Sequence, residues 1–210
     1  MNRHESLLRR WRSRARHDLV CDGIFDEGLW ASAPTRVLFI LKEAYDSDNP
    51  GKGWDLRDLA RQEGFKGVTL REMSHWARAL VEPTQGYPCS DDVVLHNALL
   101  STASINVKKV PGGTYAHDKE IRDHANDYGD LLQEQIEIID PDVIVCGSTW
   151  WAIRHLFQTS TLGDSTDRIH KAENGKVFLD FWHPANRFPR LMNCATLTEL
   201  ARRAKVLPSI

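Results

Sequence analysis

The stretch KVFLDFWHPANRFPR, residues 176 to 190, begins as an apolar run and ends as a polar loop. Residues 176–182 are rich in aliphatic and aromatic side chains without strict alternation, which predicts a strand covered on both faces. His183 and Pro184 then end the run, because a proline cannot donate to a strand ladder. The stretch therefore predicts a buried strand that delivers a histidine to one edge of a sheet.

Three further apolar runs have the same character: RVLFIL (36–41), SINVKK (104–109) and PDVIVCG (141–147). Segments with helical patterns separate or follow the four runs: 54–64, 69–82, 91–103, 117–140, 148–158 and 190–207. Strands that alternate with helices predict parallel pairing and right-handed crossovers. We therefore predict a three-layer α/β/α sandwich with a central, mostly parallel four-stranded sheet.

Length and composition predict a single globular domain over residues 1–210, with a basic N-terminal helical extension over about residues 1–30. The chain is 41% hydrophobic and 27% charged and is long enough to bury a core. No apolar run approaches the ~20 residues that cross a bilayer, and the N-terminus lacks the apolar segment of a signal peptide. We therefore expect a cytoplasmic protein without a membrane partner.

The cysteines are far apart in the sequence, at Cys21, Cys89, Cys146 and Cys194. None forms a C-x-x-C pair, so the sequence supports neither a zinc site nor an iron–sulfur cluster. We expect small buried side chains at these positions and no cofactor.

Arginine and lysine crowd both ends of the chain although the net charge is only −2. The N-terminal group is Arg3, Arg9, Arg10, Arg12, Arg14 and Arg16, and the C-terminal group is Arg187, Arg190, Arg202, Arg203 and Lys205. If the two ends meet in space, they form one basic face suited to nucleic acid. The alternative is two separate solvated helix surfaces.

Polar residues stand at or near the ends of three predicted strands. Glu43 is the first acid beyond the first run, Asn106 lies inside the second, and His183 follows the fourth. In an open α/β sheet, ligands bind beyond the carboxyl ends of the strands. Each residue also has a structural interpretation. Glu43 could be a solvated loop acid, Asn106 an amide that holds a neighbouring loop, and His183 a histidine in a stable turn.

The polar motifs follow one another in a fixed order along the chain: an acid with a tyrosine two residues later, then Asn-Val-Lys with Pro-Gly, then Pro-x-Val-Ile-Val-x-Gly, and last a strand that ends in His-Pro. This order resembles the uracil-DNA glycosylase superfamily over about residues 36 to 190. The motif sequences are most similar to those of the bacterial and archaeal branches of the superfamily. The resemblance implies a DNA glycosylase that hydrolyses the N-glycosidic bond of a flipped-out uracil, damaged or naturally modified base and leaves an abasic site. The biological role it implies is DNA repair or defence against phage DNA with modified bases.

The resemblance assigns roles to four of these positions. Glu43 falls on the water-activating acid, and Tyr45 on the residue that guards the pocket against a bulky C5 substituent. Asn106 matches the asparagine that reads the extruded base. His183 matches the histidine that steadies the leaving base.

Other residues are predicted to bind DNA or the flipped base. Trp54 is a candidate for stacking on the base, with a core tryptophan as the alternative. Arg187 and Phe188 fall where the family inserts a residue into the gap in the duplex. The remaining predicted binding residues are Lys108 of the Asn-Val-Lys motif, Asn186 of the last loop, and Gly112 and Gly113, whose backbone could approach a phosphate or form a plain turn.

Three positions depart from the family pattern: Leu41 replaces the usual glycine, Ala44 the usual proline and Ala185 a common serine. The clustered cysteines of the iron–sulfur branches are missing as well. We therefore expect a pocket unlike a standard uracil pocket. We also expect a monomer whose partner is DNA. The alternative function is a non-catalytic nucleic-acid or nucleotide-binding module on the same fold. A third interpretation, a hydrolase that acts on free nucleosides, is less favoured, because it assigns no role to the basic termini.

Overall fold

The computed structural model describes residues 3–15, 17–46, 53–62, 64–65, 67–82, 91–113, 115–163 and 168–207. The strands in these residues are β1 (Gly23–Ile24), β2 (Val37–Tyr45), β3 (Ala103–Gly112), β4 (Val143–Gly147), β5 (Thr159–Thr161), β6 (Ile169–Ala172) and β7 (Val177–Phe181). The helices are α1 (Arg3–Ala15), α2 (Glu27–Ser32), α3 (Leu56–Arg61), α4 (Val68–Val81), α5 (Asp92–Leu100), α6 (Asp118–Asp127), α7 (Gly129–Ile139), α8 (Trp150–Ile153) and α9 (Arg190–Arg203), with a 3-10 turn, Arg154–Leu156, after α8.

The strands form one seven-stranded sheet in the order β1-β3-β2-β4-β7-β6-β5. The four strands predicted from the apolar runs lie side by side at its centre as the parallel group β3-β2-β4-β7. β1 adds to one side in antiparallel orientation, and β6 and β5 add to the other. The α/β class is confirmed, but the predicted four-stranded, mostly parallel sheet is not, because the sheet is larger and mixed.

The three additional strands carry too little apolar sequence to be recognised as buried strands. β1 has two residues, and β5 is Thr-Ser-Thr with its last two residues exposed. Short, polar strands are typical of sheet edges. β5, β6 and β7 also follow one another as antiparallel neighbours, which need no helix between them.

Successive residues of the central strands face two separate hydrophobic cores. In β2, Phe39 and Leu41 belong to the core that α3, α4, α5 and α9 cover, whereas Leu38 and Ile40 belong to the core that α1, α6, α7 and α8 cover. This alternation explains why the strands are apolar without a period of two. Helices therefore lie on both faces of the sheet.

The helical segment predicted over residues 117–140 consists of two helices. α6 ends at Asp127 and α7 begins at Gly129, because Tyr128 has a backbone ψ of 17° that leaves the helical range. The Tyr128 ring stacks on Trp11 of α1 with ring centroids 5.0 Å apart. A side chain at position 129 would collide with Leu156, so the glycine lets the second helix approach its neighbour.

The predicted N-terminal helical extension contains α1, β1 and α2. Leu7, Leu8 and Trp11 of α1 are at most 1% exposed, and α1 packs against α7. Arg10 pairs with Glu134 and Arg14 with Asp130, both on α7. The basic helix is thus part of one helical layer.

Candidate active site

A cavity of about 730 Å³ opens at the carboxyl edge of the parallel strands. β2 contributes Glu43, β3 contributes Asn106, and the loop after β7 contributes His183. Because parallel strands present their carboxyl ends at the same edge, three residues distant in sequence meet in one cavity. The structure therefore brings together a carboxylate, an amide and an imidazole.

Glu43 is held beside the cavity by an ion pair and by close packing. Its side chain is 5% exposed, and the Lys108 Nζ lies 2.7 Å from its Oε2, as expected for register partners on adjacent strands. Lys108 also pairs with Glu120 at 2.7 Å. Burial opposes the charge of Lys108, but the two carboxylates outweigh it and raise the pKa of the ammonium. A β-carbon at Gly112 would overlap the Glu43 carboxylate, so this glycine makes room for it.

His183 is oriented by its own loop. The Ala185 N–H donates to the His183 Nδ1 at 3.2 Å, so a neutral ring carries its proton on Nε2. Burial and then the positive charge of Lys42 lower the pKa of His183, which favours the neutral form. The Asn186 backbone and side-chain N–H groups donate to the His183 carbonyl at 2.9 and 2.8 Å and close the turn.

Asn106 is 1% exposed and lines the cavity. Its backbone N–H donates to the Asp22 Oδ2 at 2.8 Å, and its side-chain Nδ2 lies 3.4 Å from the same oxygen. A buried amide with a defined partner has a restricted orientation.

The other predicted residues divide between the cavity and its surroundings. Those that line the cavity with Glu43, Asn106 and His183 are Tyr45, Trp54 and Gly113, whereas Lys108, Gly112, Asn186, Arg187 and Phe188 lie outside its lining. Tyr45 is 59% exposed. The buried indole N–H of Trp54 has no hydrogen-bond partner among the described residues, so it could donate to a ligand.

Arg187 and Phe188, the predicted wedge, are both exposed on the loop between β7 and α9. The Phe188 ring packs on Trp182 with centroids 4.8 Å apart and remains 48% exposed. The Phe188 N–H donates to the Asn186 Oδ1 at 2.8 Å. Asn186 therefore organises this loop.

Sequence reasoning missed several residues of the cavity. Ser148 lines it with a left-handed φ of 56°, which is uncommon for serine and marks a strained backbone. A strand-to-helix Gly-Ser pair gives no signal of that conformation in the sequence. The missed apolar wall, from α3 and the start of α4, is Leu56, Leu59, Val68, Leu70 and Met73.

The helices α1 and α9, which carry most of the two basic groups, lie on opposite faces of the sheet. Leu7 and Trp11 of α1 belong to one core, whereas Cys194 and Leu197 of α9 belong to the other. The basic side chains of these two helices therefore do not form the single basic face considered from the sequence.

Cys21, Cys146 and Cys194 are buried, and Cys89 lies outside the described residues. Across the described ranges, no three His, Cys, Asp or Glu side chains come together as metal ligands. None of the helices described could cross a membrane. The absence of a cofactor stays a prediction.

No protein family matches the chain, and no curated protein is significantly similar to it.

Proposed function

We propose that this protein is a DNA glycosylase that hydrolyses the N-glycosidic bond of a flipped-out uracil, damaged or naturally modified base. The observation that supports the proposal is the convergence of Glu43, Asn106 and His183 on one cavity from three strands. These residues are also the ones that the resemblance to uracil-DNA glycosylases assigns to the reaction.

The chemistry of the cavity suits this reaction. A base inside a duplex is inaccessible and must be flipped out, at a cost of a few kcal/mol. Cleavage then leaves an oxocarbenium-like sugar and an anionic base. The Glu43 carboxylate would stabilise the cation and orient a water, and the Nε2–H of a neutral His183 would donate to the anion.

The shape of the cavity suits a modified base as well as uracil. Tyr45 is more than half exposed, so its ring does not fill the space that it would guard. The part of the cavity lining that comes from α3 and α4 is mainly apolar. DNA as the partner, a monomeric state, a cytoplasmic location, and a role in repair or in defence against phage DNA belong to this proposal.

A panel of oligonucleotides tests the proposal. Each would carry uracil, a deaminated purine, an alkylated base, or hydroxymethylated or glucosylated cytosine, and abasic sites would be scored by alkaline cleavage. We expect release of at least one base. Glu43→Gln and His183→Ala should each lower the rate on that base about 100- to 1,000-fold, because each removes a preorganised group.

Two variants serve as matched controls. Glu120→Gln removes the other carboxylate bound to Lys108, outside the cavity lining, and His155→Ala removes an exposed histidine. Both should keep nearly full activity. Full turnover by Glu43→Gln and His183→Ala would show that the assigned roles are wrong.

A second candidate function is a non-catalytic nucleic-acid or nucleotide-binding module. The ion pair of Glu43 with Lys108 favours it, because the ammonium offsets the charge that a catalytic carboxylate needs. This function predicts no base release across the panel, together with DNA binding that survives Glu43→Gln.

A further inference from the structure

A buried polar network lies behind Asn106 and is centred on Asp22. Asp22 is fully buried, and its two carboxylate oxygens lie 2.7 and 2.8 Å from the Lys109 Nζ. The Gln135 Nε2 donates to Oδ1 at 3.0 Å. Oδ2 accepts from the Asn106 backbone N–H and faces its side-chain Nδ2. The carboxylate thus joins β3 and α7 directly beneath a residue of the cavity.

The chemistry of a carboxylate restricts how Asn106 can sit. An ionised carboxylate only accepts hydrogen bonds, so the amide nitrogen of Asn106, and not its oxygen, must face Asp22. The backbone N–H of Asn106 donates to the same oxygen, Oδ2 of Asp22, and so holds β3 against the carboxylate. Within the described part of the chain, the carbonyl oxygen and the second N–H of the amide have no hydrogen-bond partner, so a molecule in the cavity could bind them.

Lys109 pairs with this carboxylate away from water, since its side chain is 1% exposed. Its ammonium also lies 5.4 Å from the centre of the Trp11 ring. Such a buried ion pair is a weak source of stability, because desolvation of both charges offsets their attraction. Among the described hydrogen-bond partners of Asp22, Asn106 alone lines the cavity. Holding the Asn106 side chain is therefore a second task for Asp22.

We propose that Asp22 is a positioning residue that fixes the orientation of the Asn106 carboxamide, with Lys109 as its neutralising partner. A fixed amide presents its acceptor and donor in one order only. It therefore distinguishes a keto edge such as that of uracil, with an acceptor beside a donor, from the amino edge of cytosine, in which the two are exchanged. This consequence for base choice rests on the proposed function, whereas the orientation does not.

The deciding variant is the double substitution Asp22→Asn with Lys109→Met. It replaces the carboxylate by an amide of the same shape, which can donate as well as accept, and avoids an unpaired buried ammonium. Gln135→Leu is the matched control, because it removes a hydrogen bond to the same carboxylate but not through Asn106.

The primary measurement is the NMR signal of the Asn106 side-chain N–H₂ group, assigned by its loss in Asn106→Ala. In the unaltered protein and in Gln135→Leu, the proton facing Asp22 should exchange with solvent about 10- to 100-fold more slowly than the other. The double variant should lose this difference. Equal exchange of the two protons in the unaltered protein would overturn the proposal without any variant, even if the double variant fails to fold.

The second measurement compares the rates of release of uracil and cytosine from otherwise identical oligonucleotides. The double variant should lower the uracil-to-cytosine ratio about 10- to 100-fold, and Gln135→Leu should leave it unchanged. A ratio unchanged in a folded double variant contradicts a role in base choice. If the unaltered protein releases no base from any oligonucleotide, the proposed function fails, while the NMR result still decides the role of Asp22.

Discussion

The protonation state of His183 depends on its burial and on one neighbouring charge, that of Lys42. Burial and Lys42 lower its pKa, and Lys42 is held nearby by Asp118 at 2.8 Å. If the neutral ring donates to the leaving base, kcat/KM should fall as the pH drops through this pKa. Lys42→Met removes the positive charge and should raise the pKa, so the acid limb of the pH profile should move to higher pH. The profile of kcat/KM against pH on a released base measures this shift.

Lys171→Met is the control for Lys42→Met, because it removes an exposed lysine of β6 that lies outside the cavity lining. It should leave the acid limb in place. An identical acid limb in Lys42→Met and the unaltered protein would show that another group titrates.

Residues at strand ends could be predicted from the sequence, and residues placed by tertiary pairing could not. Glu43 and His183 interrupt apolar runs, which the sequence displays directly. Asp22 comes next to Asn106 only because β1 pairs with β3, and β1 is too short to predict. The position of Ser148 depends on a left-handed backbone φ, which the identity of the residue as serine does not predict.

At the scale of elements, the end of β3 shapes the position of a side chain on β2. Gly112 lies where any β-carbon would overlap the Glu43 carboxylate. Gly112→Ala should therefore displace Glu43 and lower the rate of base release about as much as Glu43→Gln, while the fold is kept. The rate on the best oligonucleotide of the panel, with a circular dichroism spectrum as the check of folding, measures this effect.

Gly113→Ala provides the comparison, because a β-carbon there meets no atom within 4 Å. Its loss of activity should be much smaller than that of Gly112→Ala. Equal losses at the two glycines would place the cause in the loop backbone and not in the carboxylate.

Element type could be predicted more reliably than element edges. The spacing over residues 69–82 predicts α4 to within one residue at each end, since its apolar face is continuous. The break at Tyr128 could not be predicted, because its ring leaves the helical pattern to stack on Trp11, far away in the sequence.

At the scale of the whole molecule, α1 is a structural part of the helical layer that it forms with α6, α7 and α8 on one face of the sheet. Trp11 is 1% exposed and contacts both Tyr128 and Lys109. Trp11→Ala should lower the free energy of unfolding by about 3–5 kcal/mol, because it leaves a large cavity in the core. Denaturant unfolding followed by circular dichroism measures the loss.

Arg9→Ala on the exposed side of the same helix should change the free energy of unfolding by no more than about 0.5 kcal/mol. A similarly small effect of Trp11→Ala would show that the helix is a dispensable extension.

The α/β class and the parallel centre of the sheet could be predicted from the apolar runs, whereas the antiparallel margins depend on pairing between short, polar segments.

The strand order has a consequence for the timing of activity during synthesis. β1, β2, β3 and β4 are neighbours in space and all precede Thr149 in the sequence, so they can pair while the ribosome is still adding residues. β7 then joins at the margin of that group and brings His183 with it. On the proposed function, a nascent chain in which only these four strands have paired would lack the histidine assigned to the leaving base, so base release would begin only after β7 has joined the sheet.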